Sequence, residues 1–317
     1  NYLKLINGMI MKIDKITTMS YGISIQEFDA KNTTDIDIIK LKEAIYGNLI
    51  VVLKNQFLSP YEYVKFGKKF GQIEKYYEEM YHHPEEKDIF VSSNIKEDDH
   101  IQGVPRTGSF WHSDYAFMTT PFSISIIYPQ VVPKLNRGTY FIDMAEAYEQ
   151  LSEDLRTKIK ETFCEHSVRK YFKIRPWDVY RPMGDILQEI EQRTPPVKRP
   201  TVVTHPISKR KILYVSQGFT VSIWNDKANQ LDSSLLQVLF EQSGQTDKSF
   251  SHPLINLLQI EMGDIVLWDN RRLIHHAKHF DIKEPAKSFR LTVYDEFPFS
   301  LEETKELESK ETENCEV

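Results

Sequence analysis

The 317-residue sequence predicts a mixed α+β, mainly β fold: a barrel or jelly roll with flanking helices. Three observations carry this. Amphipathic helical patterns gather before Gly71, and the run NLIVVLKNQ (48–56) is continuously apolar over the length of a buried strand. From residue 123 onward, short β-rich runs recur with turn signals between them. With 40% hydrophobic and 27% charged residues the composition is that of an ordinary globular chain, and large β-rich enzymes often reach this length as one domain.

In order, residues 20–28 read as a strand and 34–46 as a helix with apolar positions Ile36, Ile38, Ile39, Leu41 and Ile45. Ser59 caps a second helix that Pro60 opens and that runs through Phe66 and Phe70 to near Gly71. Residues 73–86 (IEKYYEEMYHHPEE) show no clean period and read as an ordered loop. SISIIYPQVV (123–132) and GTYFIDM (138–144) are strand-like; 145–170 reads as helical, with Ser152 as a cap and Cys164 inside it. Residues 171–200, rich in Pro and Arg, read as irregular. PTVVTHPI, KILYVS and FTVSIW are short strands, with Lys209-Arg210-Lys211 at a hairpin turn. A helix at 232–243 is followed by LINLLQI, DIVLWDN, LIHHA and SFRLTVYDEF, which complete the sheet.

Residues 1–19 read as an N-terminal extension, with the part before Met9 or Met11 set aside from the functional argument, and 20–299 as a single domain. Residues 300–317 form an acidic tail with seven glutamates, read as a solvated helix or disordered. A net charge of −6 without a long basic stripe argues against a nucleic-acid partner. No apolar run of 18 residues and no signal-peptide pattern is present, which argues against a membrane. Cys164 and Cys315 offer neither a disulfide framework nor a zinc-finger spacing, so the expected compartment is the reducing cytoplasm.

The chemistry begins at FWHSDYAF (110–117). On a strand, His112 and Asp114 would point to the same side of the sheet. Alone, an H-x-D fits a metal pair or a buried histidine beside a turn aspartate. A non-heme iron(II) site needs two histidines and one carboxylate on one face of the metal, leaving positions for cosubstrate and oxygen. GDIVLWDNRRLIHHAKHF supplies a strand, a turn and a histidine, and KSFRLTVYD places Arg290 on the next strand. A guanidinium fork grips a carboxylate and does not titrate, and the Thr139 hydroxyl is placed to share that task.

The order H-x-D, Thr, distant His, Arg resembles the iron(II)/2-oxoglutarate dioxygenases of the TauD/TfdA family. NLIVVLKNQFLSPYEYVKFGKKFGQIE, VVTHPISKRKILYVSQGF and LWDNRRLIHHA are also similar to that family, so the resemblance covers residues 20–297. It implies a double-stranded β-helix (jelly-roll) core, iron(II) held by His112, Asp114 and His275, and O2 and 2-oxoglutarate as cosubstrates. Thr139 and Arg290 would bind the 2-oxoglutarate. His275, and not His276, matches the ligand because it falls seven residues after Trp268, as in the family motif. His276 is expected to face away, and Phe110, Trp111 and Trp268 to belong to the core. A zinc hydrolase with the same ligands would leave Arg290 and Thr139 unexplained, and a halogenase would carry a small residue in place of Asp114. An idle binding barrel would need no such ligand set.

Sulfonate-oxidising members carry a second arginine four residues after the cosubstrate arginine; here that position is Tyr294, which argues against taurine. EKYYEEMY, NRGT, YFKIRPW and HHAKHFD stand at intervals that resemble the isonitrile-forming branch of the family. That branch converts a 3-[(carboxymethyl)amino] fatty acid into a 3-isocyano fatty acid. The resemblance implies Tyr76, Tyr77, Tyr81, Arg137, Lys173, Arg175 and His279 as substrate residues. A substrate with two carboxylates and a secondary amine suits cations at both ends and tyrosine hydroxyls between, with the rings excluding water. The bland alternative is solvated loop charges and ordinary packing, and the competing function is hydroxylation of another small amino or organic acid. The expected partner is a small carboxylate substrate. A homo-oligomer, a pathway acyl-carrier protein and an acyl ligase remain open.

Overall fold

The computed structural model describes residues 2–6, 9–97, 100–135, 138–278 and 284–298. Arg137, His279, Cys315 and the acidic stretch 300–317, each singled out above, lie outside the described residues. The chain opens with β1 (Tyr2–Ile6), β2 (Met9–Lys15), β3 (Ile23–Gln26), α1 (Asp35–Asn48), β4 (Ile50–Leu53), α2 (Pro60–Lys68) and β5 (Gln72–Ile73). Short strands β6 (Phe90–Ser93), β7 (Lys96–Glu97) and β8 (His100–Ile101) precede β9 (Ile124–Val131) and β10 (Gly138–Asp143). Next come α3 (Met144–Gln150), α4 (Glu153–Ile159), β11 (Phe163–His166), α5 (Met183–Arg193), β12 (Val197–Pro200), β13 (Val202–Thr204), β14 (Lys211–Leu213), β15 (Thr220–Trp224) and α6 (Ser233–Gln242). β16 (Asn256–Gln259), β17 (Ile265–Asp269), β18 (Leu273–Lys278) and β19 (Lys287–Tyr294) close the order. The fold is mixed and mainly β, as expected.

Two compact units are present. The first takes residues up to Phe110, Phe122–Ile142 and Ile255–Glu296. Its large sheet runs β1-β2-β3-β4-β17-β9-β19-β5, with β6 also on β19, so the stretch set aside as an extension contributes two strands to it. Among the described residues, β3–β4 is the one parallel strand pairing of this sheet. The central strands are apolar on both faces, which is why 48–56 reads as one unbroken run. One face, with Val51, Leu53, Ile265, Leu267, Phe289, Leu291 and Val293, packs with Ile38, Leu41 and Ile45 of α1 and Tyr63, Val64 and Phe66 of α2. The other face contributes Ile50, Val52, Val266 and Trp268 to a cluster with Phe141 and Leu258. Because side chains alternate along a strand, Arg290 leaves β19 on the face opposite Phe289 and Leu291.

Both helices of this unit start as their sequences dictate. Thr34 and Asp37 form a capping box on α1, and Ser59 and Glu62 form one on α2 behind Pro60. The inward stripe of α1 is Ile38, Leu41 and Ile45; Ile36 and Ile39, read above with it, are exposed by 55% and 56%. Gly71 lets β5 close on β19, since a Cβ there would lie 1.9 Å from the Tyr294 carbonyl oxygen.

The second unit includes residues 111–121 and 143–254. It holds the sheet β12-β11-β15 and the hairpin β13–β14, with Lys209 at φ +58° in its turn as the Lys-Arg-Lys cluster predicts. Two expectations fail here. Cys164 lies on β11, opposite Arg199 and Ile223, and not in a helix; burial pushes its thiol up to about 12. Residues 171–200 are not irregular throughout, because Ile186 and Ile190 give α5 a buried stripe, a pattern masked by Gly184 and the flanking prolines.

His166 ends β11 and is 1% exposed, and its Nε2 makes no hydrogen bond among the described residues. Burial, then the charge of Arg199, pulls its imidazole down from 6.5 to about 3. Between those values the unfolded chain holds a proton that the folded chain does not, so stability falls as pH drops through that window. The limiting slope is about 1.4 kcal/mol per pH unit. His166→Gln should flatten the acid-side decline of the unfolding midpoint; an unaltered slope would exclude His166 as its source.

Candidate active site

The segment carrying His112 and Asp114 is a turn, and not the strand on which the two would share one side of a sheet. His112 sits in an isolated bridge, and Asp114–Phe117 form a turn in which Tyr115 has φ +58°. The turn still brings the two polar heads together: His112 Nε2 lies 3.7 Å from Asp114 Oδ1. Two metal–ligand bonds of about 2.1 Å each can span such a gap.

Neighbours in the same unit hold this segment. The Gly218 N–H donates to the Trp111 carbonyl at 2.9 Å, and the His112 ring meets Phe219 edge-on at 5.7 Å. Phe219 in turn packs on Phe117 at 4.8 Å. The side chains of Tyr214 and Ser113 are hydrogen-bonded, and Arg199 donates to the Met118 carbonyl at 2.9 Å and to the Thr119 carbonyl. Sequence reading named none of these as supports, although Tyr214 and Phe219 fall in the VVTHPISKRKILYVSQGF stretch. Trp111 is core, 1% exposed, whereas Phe110 is only partly buried.

In the first unit, β10 lies between β16 and β18. Thr139 and Phe141 share one face of β10, and His275 of β18 packs on Phe141 at 6.0 Å and on Trp268 at 5.0 Å. His276 instead meets Tyr140 at 6.5 Å and contacts the Ala277 carbonyl, consistent with the opposite face. Trp268 is core, 1% exposed. One side-chain donor atom from each of His112, Asp114 and His275, all three buried, lies within 4.8 Å of the others. Two imidazoles and one carboxylate are a donor set that fits a divalent metal with open positions left over.

Arg290 is flanked on β19 by Ile127 and Phe90, and its guanidinium carbon lies 4.1 Å from the centre of the Phe90 ring. Tyr76, Tyr77 and Tyr81 do form one cluster: Tyr76 lies 4.6 Å from Tyr77 and 4.9 Å from Tyr81. Tyr294, at the position of the second arginine of sulfonate oxidisers, stacks on Phe122 at 4.5 Å. In the second unit Lys173 is half-buried, and Arg175 is 2% exposed. Arg175 already serves two internal carboxylates: Nε and Nη2 donate to Asp178 at 2.7 and 2.8 Å, and Nη1 donates to Glu189 at 2.6 Å. These contacts hold Asp178 well below the usual carboxylate range and pull Glu189 down to about 2.

Residues 14–292 match the model of the taurine catabolism dioxygenase TauD, TfdA family. The chain is 26% identical over 290 residues to the α-ketoglutarate-dependent 2,4-dichlorophenoxyacetate dioxygenase of Cupriavidus pinatubonensis, covering 87% of this chain and 95% of that protein. It is 29% identical over 266 residues to pentalenolactone F synthase of Streptomyces arenae, covering 80% and 86%. Among solved structures it superposes on AAD-2 in complex with Mn(II) and N-oxalylglycine with a TM-score of 0.70 at 22% identity, covering 92% and 99%. A taurine dioxygenase from Burkholderia xenovorans gives 0.69 at 21% identity, covering 92% of each chain. The chain therefore belongs to the TauD, TfdA family and is an α-ketoglutarate-dependent dioxygenase.

Proposed function

We propose that this protein is an iron(II)/2-oxoglutarate oxygenase and decarboxylase that converts a 3-[(carboxymethyl)amino] fatty acid into a 3-isocyano fatty acid. Its strands are read as a double-stranded β-helix core, with His112, Asp114 and His275 as the iron ligands. The observation that carries the metal assignment is the buried His–Asp–His donor set. The substrate assignment is supported by the Tyr76–Tyr77–Tyr81 cluster and by Lys173 on a segment that Arg175 ties to Asp178 and Glu189.

Bound iron supplies activation of O2 coupled to decarboxylation of 2-oxoglutarate to succinate. The chain's residues set where that oxidising power falls. Arg290 and Thr139 hold the far carboxylate of 2-oxoglutarate, the arginine through a two-pronged charge-assisted contact. Lys173 holds the glycyl carboxylate and so fixes the neighbouring CH2 for oxidation. The tyrosine hydroxyls bind the amine while their rings exclude water. Arg175 fixes the segment that presents Lys173, and Arg137 and His279 complete the proposed substrate set. Going from the N–CH2–COOH arm to an isonitrile removes four electrons and four protons and releases the carboxyl carbon as CO2. Each O2 with one 2-oxoglutarate accepts two electrons from the substrate, so two rounds are needed.

No helix among the described residues is long and apolar enough to cross a membrane, and a cytoplasmic location accords with this reading. A single hydroxylation of another small acid is the second reading, favoured by the relative named for 2,4-dichlorophenoxyacetate. The test is to incubate the iron-loaded protein with 3-[(carboxymethyl)amino]butanoate, 2-oxoglutarate and O2. An isonitrile band in the infrared is expected; no band, with succinate at the level of a no-substrate control, rejects that substrate. Lys173→Met should raise the KM of this substrate about tenfold or more, the scale of a lost charge-assisted bond, and leave 2-oxoglutarate binding intact. A parallel loss of 2-oxoglutarate binding would contradict the role given to Lys173.

A further inference from the structure

Phe90 carries no polar atom in its side chain and belongs to no motif singled out in the sequence, yet it touches both halves of the proposed chemistry within the first unit. The Arg290 guanidinium lies over its ring at 4.1 Å. Tyr81 is also stacked on this ring at 4.5 Å with 21° between the planes, and Tyr76 meets it edge-on at 5.2 Å. The backbone reinforces both contacts. Phe90 pairs with Arg290 in the β6–β19 register and with His82 in an isolated bridge. The His82 ring contacts the Tyr76 carbonyl at 2.7 Å, and the His83 N–H donates to the Ile89 carbonyl at 3.0 Å. The loop carrying the tyrosines is thus built onto the strand that carries Phe90.

We propose that Phe90 is a positioning residue that orients Arg290 for 2-oxoglutarate and links that grip to the tyrosine cluster at the substrate. This rests on the reading of Arg290 as the cosubstrate's carboxylate holder and of the tyrosines as substrate residues. A guanidinium laid over an aromatic face is held by attraction to the ring's π density, while its N–H bonds, which lie in its own plane, stay directed at the periphery. The ring therefore fixes the cation without using the donors that a bidentate carboxylate needs. A flexible arginine would have to lose side-chain freedom on binding; one already stacked has lost it. Since Tyr81 is stacked on the same ring, a displacement of Tyr81 by substrate is passed to Phe90 and on to Arg290 through direct contacts.

The test is calorimetric titration of the Mn(II)-loaded protein with 2-oxoglutarate, a readout independent of turnover. Phe90→Leu keeps an apolar side chain but removes the π face, and should raise the Kd about fivefold or more, the scale of a cation–π contact. Phe90→Trp keeps a π face and should stay within about twofold of the parent. Leucine and tryptophan variants that bind alike would overturn the positioning role. Tyr81→Leu should also weaken binding, and its effect should be non-additive with that of Phe90→Leu in a double-mutant cycle. Strict additivity would overturn the link to the tyrosines. Arg290→Gln separates the two levels of the argument. If it leaves 2-oxoglutarate binding unchanged, the underlying assignment of Arg290 fails. If it abolishes binding while Phe90→Leu changes nothing, the assignment stands and the role of Phe90 fails.

Discussion

Asp114→Ala is expected to lower substrate-coupled succinate formation by more than about a hundredfold, beyond what loss of an outer-shell support costs a metal site. The carboxylate is 1% exposed and 3.7 Å from the His112 Nε2, so under the proposed ligand set its loss leaves two imidazoles to hold a dication in a buried place. A charged group in such surroundings must be paired or must coordinate. His112→Ala should behave similarly, and metal retained after gel filtration should fall in parallel for both variants. Alanine also leaves the room a halide would take, so the Asp114 variant should be assayed with and without chloride. Full coupled activity in either variant would refute the assignment of these residues as ligands.

Arg175→Met is expected to destabilise the fold by about 3–5 kcal/mol, the usual cost of removing one partner from a buried ion pair. The Arg175 side chain is 2% exposed and Asp178 is fully buried, with two guanidinium donors and the Arg175 backbone N–H on the same carboxylate. Without the guanidinium, Asp178 keeps the help of Arg181 at 2.8 Å, whose side chain is only partly buried. The sign with pH follows from the depressed carboxylates. Asp178 and Glu189 lie below their ordinary values of 3.8 and 4.5, so the stability they contribute is present above those values and is lost as pH falls through the lowered ones. The gap between parent and variant should therefore be full at neutral pH and narrow only in strong acid. Denaturant unfolding at two pH values measures it. Adding Asp178→Leu to Arg175→Met should recover part of the loss, because it removes the stranded charge. A neutral single variant would mean that the pair only offsets its own desolvation.

How much of this was legible beforehand depends on the physics behind each signal. Strands buried on both faces, such as β4 and β17, announce themselves as apolar runs, and the apolar period from residue 34 and the Ser59-Pro60 pair place the starts of α1 and α2 within a residue. α5 was hidden because two buried isoleucines among prolines, arginines and a glycine make a weak period. β11 was hidden because a four-residue strand follows directly on the helical pattern of α4. At the site, the family resemblance implies His112, Asp114 and His275, and one side-chain donor atom of each lies within 4.8 Å of the others. Of the two local geometries that H-x-D allows, the turn at Asp114 sets the pair. Arg175 read as a cation for substrate, but its partners Asp178 and Glu189 stand three and fourteen residues away, and charge counts alone do not reveal which carboxylate a guanidinium meets. Phe90 gave no signal at all, since an apolar residue on a short strand reads as core until the arginine over its ring is seen.

The most direct test of the central claim is the ratio of succinate to product in a single reaction. The protein is loaded anaerobically with iron(II), 3-[(carboxymethyl)amino]butanoate and excess 2-oxoglutarate, then exposed to limiting O2, and succinate, CO2 from a labelled glycyl carboxyl, and isonitrile are quantified together. The four-electron account predicts two succinates and one labelled CO2 for every isonitrile. One succinate per product, with the labelled carboxyl retained in a hydroxylated acid and no isonitrile, would contradict it.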